Sequence, residues 1–278
     1  MRQHQLAIDF ALPSSRQEFE FSYEPIHVGR STFKAGVAER IHRWFRLTPS
    51  FGPDLVEEML TALNATDADT VLDPFCGAAT TVIECQLNGI RSVGIEINPL
   101  LQFVGATSLN WSINPCALTE DLPRLGILYG EGRQKDTFEV PQIHDPYRWW
   151  RRDVLHELLA LRESIKLLSL PEHRAFFQLA LAGVLVPDLT NVTLGRLQLH
   201  FIDRTDHHID VWKTFESHAK IMVHDLDGVR DLQRDVLSEV VAGDSTSSDT
   251  YKPIPAITKV VTSPPYPNRY SYVWNTRP

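Results

Sequence analysis

Three short strings in this sequence combine residue types that could do chemistry. In VVTSPPYPNRYSYVW (residues 260–274) an apolar run delivers Ser263, Pro264, Pro265 and Tyr266 to its end. Two successive prolines fix φ and carry no N–H, so the stretch is stiff and offers carbonyl acceptors instead of donors. Acceptors of that kind, with the Ser263 hydroxyl, suit the two protons of an exocyclic amino group. Tyr266 is placed to stack on a base taken out of a helix. A plain proline-rich turn is the alternative, and the apolar strand ahead of it together with two partner strings argues against that. The second string, VLDPFCGAATT (71–81), is a loop of small residues where backbone can approach a ligand. In the third, VGIEINPL (93–100), Glu96 ends an apolar run, where a carboxylate can accept from both hydroxyls of a ribose.

The elements that must position these strings are legible around them. TVLD (70–73) and RSVGIEI (91–97) are short β-branched runs, TTVIECQLNG between them is helical, and Gly89 sits where a C-terminal cap belongs. Strand, loop, helix and strand in so short a span form a βαβ unit, so the fold class is α/β with a parallel sheet. Ahead of it, SFGPDLVEEMLTALNA reads as an amphipathic helix opening at Pro53. The alternation stops after residue 100, and residues 145–236 read as helices. Strand character returns only at SEVVAGD (238–244) and AITKVVTS (256–263). Ligands of open α/β sheets bind outside the carboxyl ends of strands, where all three strings lie.

DPFCGAATT is similar to motif I, and TSPPY to motif IV, of the amino-methylating (cytosine-N4 and adenine-N6) DNA methyltransferases; IHRWFRLTPSFGPDLVEEML (41–60) resembles their motif X. Motif I usually reads DPFxGxGTT, and Ala79 stands here at its second glycine. The resemblance implies a Rossmann-like sheet that binds S-adenosyl-L-methionine. Asp73, Phe75, Cys76, Gly77 and Thr80 of motif I, Glu96 and Asn98 after the second strand, and Asp244 beside the adenine would hold it. Thr48, Pro49 and Phe51 of motif X would meet its methionine end. Ser263, Pro264, Pro265 and Tyr266 become catalytic, and the S-P-P-Y form is more typical of cytosine-N4 methylation. The expected function is DNA methylation within restriction–modification. Adenine-N6 or RNA amino groups are the alternatives within that chemistry, and an inactive cofactor-binding or regulatory subunit is the alternative outside it. Arg148, Arg151 and Arg152 of RWWRR, with Arg269, are the candidates for contact with DNA; equally, the two indoles of RWWRR anchor the helices to the sheet.

On this reading residues 1–35 are irregular, 36–100 and 237–278 are two parts of the methyltransferase sheet, and 101–236 are a mainly helical insertion. The family's seven strands run 3-2-1-4-5-7-6, and only strands one to four are accounted for. A truncated chain or one half of a split enzyme is expected, with a second chain supplying the remaining strands; such a chain alone would be inactive or very weak and prone to associate.

Composition narrows the remainder. The 278 residues are 43% hydrophobic and 22% charged, close to globular averages, so disorder and coiled coil are excluded. No apolar run is long enough for a membrane span or a secretory signal, which makes the expected location cytoplasmic. Cys76, Cys85 and Cys116 show no CxxC spacing, and Cys76 reads as a packing residue. His200, His207 and His208 with their neighbouring aspartates match no ligand pattern, so no metal is expected. A net charge of −8 disfavours a basic carpet for nucleic acid and leaves room for a local groove.

Overall fold

A computed structural model describes residues 38–47, 50–135, 138–194, 199–230, 232 and 237–265. The expectations for residues 1–35, Thr48, Pro49, Tyr266 and Arg269 fall outside these residues.

Strand β1 (Thr70–Asp73) is buried along its whole length, as a central parallel strand with both faces covered must be. It pairs in parallel with β2 (Arg91–Glu96), Leu72 opposite Val93. The helix between them, α2 (Thr80–Leu87), is followed by Asn88 and then Gly89 at φ 71°, the left-handed residue that lets the chain turn back. Helix α1 (Pro53–Ala62) lies on α2, and Val56 and Leu60 pack with Cys85, Val71 and Val261. Helix α3 (Pro99–Ser108) follows β2. Residues 99–108 and 115–132 are helical where sequence periodicity is silent. Small residues in α3, and Pro123, Gly126 and Gly130 in α4 (Pro115–Gly132), dilute the apolar pattern, yet Leu118, Leu122, Leu125 and Tyr129 still bury one face of α4.

Helices α5 (Pro146–Trp149), α6 (Arg152–Lys166) and α7 (Pro171–Val184) come next. The chain then forms an antiparallel ribbon, β3 (Val192–Leu194) with β4 (Leu199–Phe201), before α8 (Val211–Arg230). This ribbon interrupts the helices read over 145–236; three-residue strands are too short to show alternation. One apolar cluster runs from Ala79, Ile83 and Val104 beside the sheet to Phe176, Phe177 and Phe215 among the helices.

Strand β5 (Ser238–Ala242) adds to β2, the chain passes through the short helix α9 (Ser248–Tyr251), and β6 (Lys259–Val260) adds to the opposite side of β1. The order is therefore β5-β2-β1-β6, all parallel. This is the 3-2-1-4 arrangement that the resemblance implies. The strand expected over 256–263 is paired only at Lys259–Val260. Pro255 and Pro264 have no N–H to extend the ladder, and single hydrogen bonds flank it, from Thr258 N–H to the Thr70 carbonyl and from Val261 N–H to the Leu72 carbonyl (3.0 and 3.1 Å). On the face away from α1 and α2, Leu72, Val93 and Ile95 lie under Ile254 and Ile257 of the loop before β6. Val260 is 53% exposed, and among the described residues nothing pairs with the outer edge of β6.

The segment ahead of α1 is clasped by Asp225 of α8, which is wholly buried. Its carboxylate accepts from the Arg43 guanidinium (Nε at 2.9 Å), the Trp44 indole (3.1 Å) and the Ile41 amide (3.3 Å). Asp225→Ala leaves these donors without their acceptor, so unfolding in urea should show a loss of about 2–3 kcal/mol with an unchanged slope.

Candidate cofactor-binding and active site

The loop after β1 is shaped by close backbone approaches. Cys76 N–H donates to the Ile95 carbonyl (3.1 Å), which lays the loop against β2. Gly94 makes this possible, since a Cβ there would stand 2.7 Å from the Cys76 sulfur. Gly77 and Ala79 both adopt positive φ, 54° and 68°. Ala79 thus explains the usual glycine of motif I: the position is left-handed, which costs a residue with a Cβ about 1–2 kcal/mol. Its methyl group is fully buried against Gly105 of α3, where an added Cβ would approach it to 3.1 Å.

Glu96 joins three segments. Its Oε2 accepts from Gly77 N–H (2.9 Å) and its Oε1 from Asn98 N–H (2.7 Å), while its carbonyl accepts from Gly243 N–H (3.1 Å) in the loop after β5. Burial raises the pKa of this half-buried carboxyl, and the amides of Asn98, Gly77 and Ile97 oppose the rise. Asn98 caps α3, its Oδ1 accepting from the Leu100 and Leu101 amides (2.9 and 3.4 Å). Asp244 accepts at Oδ1 from the Thr246 amide and hydroxyl (2.9 and 2.7 Å), which hold its carboxyl below the usual range.

Asp73 ends β1 at 1% exposure. Its Oδ1 accepts from the Phe75 amide (3.1 Å) and from the Thr262 hydroxyl (2.7 Å), so one carboxyl spans the loop after β1 and the segment after β6. Burial drives its pKa upward, opposed by the hydroxyls of Thr262 and Thr81 and the Phe75 amide.

These loops enclose a cavity of about 410 Å³. Phe51, Phe75, Cys76, Gly77, Thr80, Glu96, Asn98, Asp244, Ser263 and Pro265 line it, so residues far apart in sequence share one space. Asp73 stands behind this wall, and Pro264 is exposed beside Pro265. Leu47, Ser50, Ile97, Leu101 and Thr246 also line the cavity and were not singled out from sequence. Ile97 carried a readable signal: an isoleucine next to the strand-ending Glu96, 67% exposed, is an apolar rim and not core.

Burial, with Asp73 and Glu96 nearby, pushes the Cys76 thiol well up; burial takes Cys85 to about 12. Cys116 is exposed and free. In RWWRR, Trp150 is 5% exposed and packed in the main core, and Trp149 meets Phe201 edge-on at 5.2 Å, so both indoles anchor. Arg151 is committed to the Asp153 carboxylate (2.5 Å) and to the Arg204 and His207 carbonyls. Among the described residues no group of three or more His, Cys, Asp or Glu could hold a metal ion, and no helix is long and apolar enough to cross a membrane.

Residues 27–102 match the family described as DNA methylase. The chain is 32% identical over 100 residues to the Type II methyltransferase M.BsoBI of Geobacillus stearothermophilus, covering 33% of this chain and 19% of that protein. Segments of this chain are thus similar to DNA methyltransferases. The Type II methyltransferase M.AvaI of Nostoc is 34% identical over 71 residues (26% of this chain, 15% of that protein), and M.MvaI of Kocuria varians 25% over 151 (51% and 33%). The chain thus spans a third or less of the length of these relatives. No solved structure matches it significantly.

Asp73 sets a pH dependence whose sign is fixed. A carboxyl raised in the fold binds its proton more tightly folded than unfolded, so its stabilisation is complete below the usual value of 3.8 and is lost as pH rises through the higher folded value. Across that window, thermal melts should show wild type losing stability relative to Asp73→Asn. Thr262→Val, which removes a hydrogen bond to the ionised form, should cost about 1–3 kcal/mol at neutral pH and extend the window upward.

Proposed function

We propose that this chain is the cofactor-binding part of a DNA amino-methyltransferase that transfers a methyl group from S-adenosyl-L-methionine to N4 of cytosine, within a restriction–modification system. The observation that carries the reading is the single cavity at the strand ends, in which Glu96, Asp244 and Ser263 meet. Its volume lies within the range of small-molecule sites, and its donors and walls fit this cofactor. Glu96, whose oxygens retain lone pairs beyond the two amides they accept from, takes the ribose hydroxyls. Asp244 serves the adenine amino group, and Ile97, Phe75 and Phe51 cover apolar surface. When bound, the cofactor supplies an electrophilic methyl group on a sulfonium.

The chain's residues then hold the acceptor of that methyl. Ser263 Oγ and the Pro264 carbonyl accept hydrogen bonds from the two amine protons and so turn the nitrogen lone pair away from the base ring; one of these protons is released to water after transfer. Tyr266 stacks on the extruded base. Proximity and alignment supply much of the rate. Transfer to an amine needs no covalent enzyme intermediate, in keeping with the buried thiol of Cys76. The S-P-P-Y form supports cytosine over adenine. The open edge of β6 and the exposed Val260 support a companion chain that adds strands there. A cytoplasmic location follows from a DNA substrate of this kind.

Calorimetric titration with S-adenosyl-L-methionine tests the reading: wild type binds, and Glu96→Gln binds roughly 10- to 100-fold more weakly. Absence of binding by wild type rejects it. Radiolabelled methyl transfer to DNA, followed by nucleoside analysis and run with and without the companion chain, separates N4-methylcytosine from N6-methyladenine. Ser263→Ala should abolish transfer with cofactor affinity nearly intact. Cofactor binding with no transfer under either condition would point instead to a regulatory subunit.

A further inference from the structure

The surface beside RWWRR is built in an unusual way. Arg148 lies over the ring of Phe201 (4.1 Å to the centroid), and Arg152 lies over the ring of Tyr147 (3.7 Å). Both guanidinium groups are exposed, as are the rings, Tyr147 at 39% and Phe201 at 42%. Among the described residues neither arginine has a carboxylate partner, whereas Arg43, Arg133, Arg151 and Arg162 each do. The scaffold beneath is fixed. Asn191 N–H donates to the Trp149 carbonyl (2.7 Å), Ile202 N–H to the Asn191 carbonyl (2.9 Å), and Arg151 ties the start of α6 to the loop after β4 through the Arg204 carbonyl (3.0 Å).

We propose that these two arginines, seated on Tyr147 and Phe201, form a DNA phosphate clamp; this rests on the methyltransferase reading above. A ring restrains the guanidinium without neutralising it, so the fork keeps its full charge and its donors, and part of the ordering cost of binding is met before DNA arrives. A carboxylate partner would restrain it equally but cancel the charge. On a chain of net charge −8, two such cations, one on α5 and one at the start of α6, supply positive charge of the kind a polyanion needs. The rings also separate two functions that are usually fused: the arginines supply charge, and the aromatics supply orientation.

That separation gives the test, made by fluorescence anisotropy with a short labelled duplex across about 50–200 mM salt. Arg148→Ala and Arg152→Ala should each lower the salt slope by about one and weaken binding at every salt. Tyr147→Ala and Phe201→Ala should weaken binding about two- to fivefold with the slope unchanged, because no charge is lost. Arg124→Ala, which removes an exposed cation on α4, is the charge control and should leave both unchanged. Equal slopes for wild type and both arginine variants, or an equal drop with Arg124→Ala, would overturn the clamp. So would polyglutamate competing as well as DNA, which marks a site for acidic protein. Cofactor titration on the same samples keeps the two readings apart. Wild type that binds S-adenosyl-L-methionine but no duplex rejects the clamp alone, and wild type that binds neither rejects both.

Discussion

The site exists because the strand order reverses at β1. The chain lays β2 and then β5 to one side of β1 and returns to lay β6 on the other, so the loops after β1 and β6 leave the sheet in divergent directions and a crevice opens between them. Asp73 sits at the root of that crevice and bonds to both departing segments. Glu96 performs the matching task one strand away, holding the glycine loop, the start of α3 and the loop after β5. Two residues at neighbouring strand ends therefore set the positions of four loops, three through their carboxyl groups and the loop after β5 through the Glu96 backbone carbonyl. Both carboxyl groups carry a burial penalty that backbone amides and hydroxyls offset.

Helices α4 to α8 contribute to this arrangement without entering the cavity. Their apolar cluster is continuous with Ala79, Ile83 and Val104, so the wall of the site and the core of the helices are one packed body. Asp225 extends the same body to the segment before α1, from which Leu47, Ser50 and Phe51 reach the cavity. The helices and the cavity wall therefore share one packed core.

Much of this was legible in sequence, for physical reasons. Short β-branched runs bounded by small-residue loops mark parallel strands, and each strand-end residue proposed for the cofactor and lying within the described residues borders one cavity or, like Asp73, stands directly behind its wall. What was illegible depends on contacts distant along the chain. The β3–β4 ribbon has strands too short for alternation to register, and the paired part of β6 is limited by prolines whose effect depends on the register with β1. The split roles within RWWRR turn on Asp153 and the Arg204 and His207 carbonyls, which hold Arg151, and on Tyr147 and Phe201, which lie under Arg152 and Arg148; several of these are far along the chain. Ala79 shows the converse: its departure from the motif was visible in sequence, and only its backbone angle and Gly105 explain how it is accommodated.

The three cysteines divide by chemistry as well as by place. The chain's only thiols are Cys76 and Cys85, buried and raised in pKa, and Cys116, exposed at the start of α4. Because the thiolate is the species that reacts, an alkylating reagent at neutral pH meets one site on the folded protein. The molecule thus carries a native single attachment point for a dye or spin label, on a residue that does not line the cavity.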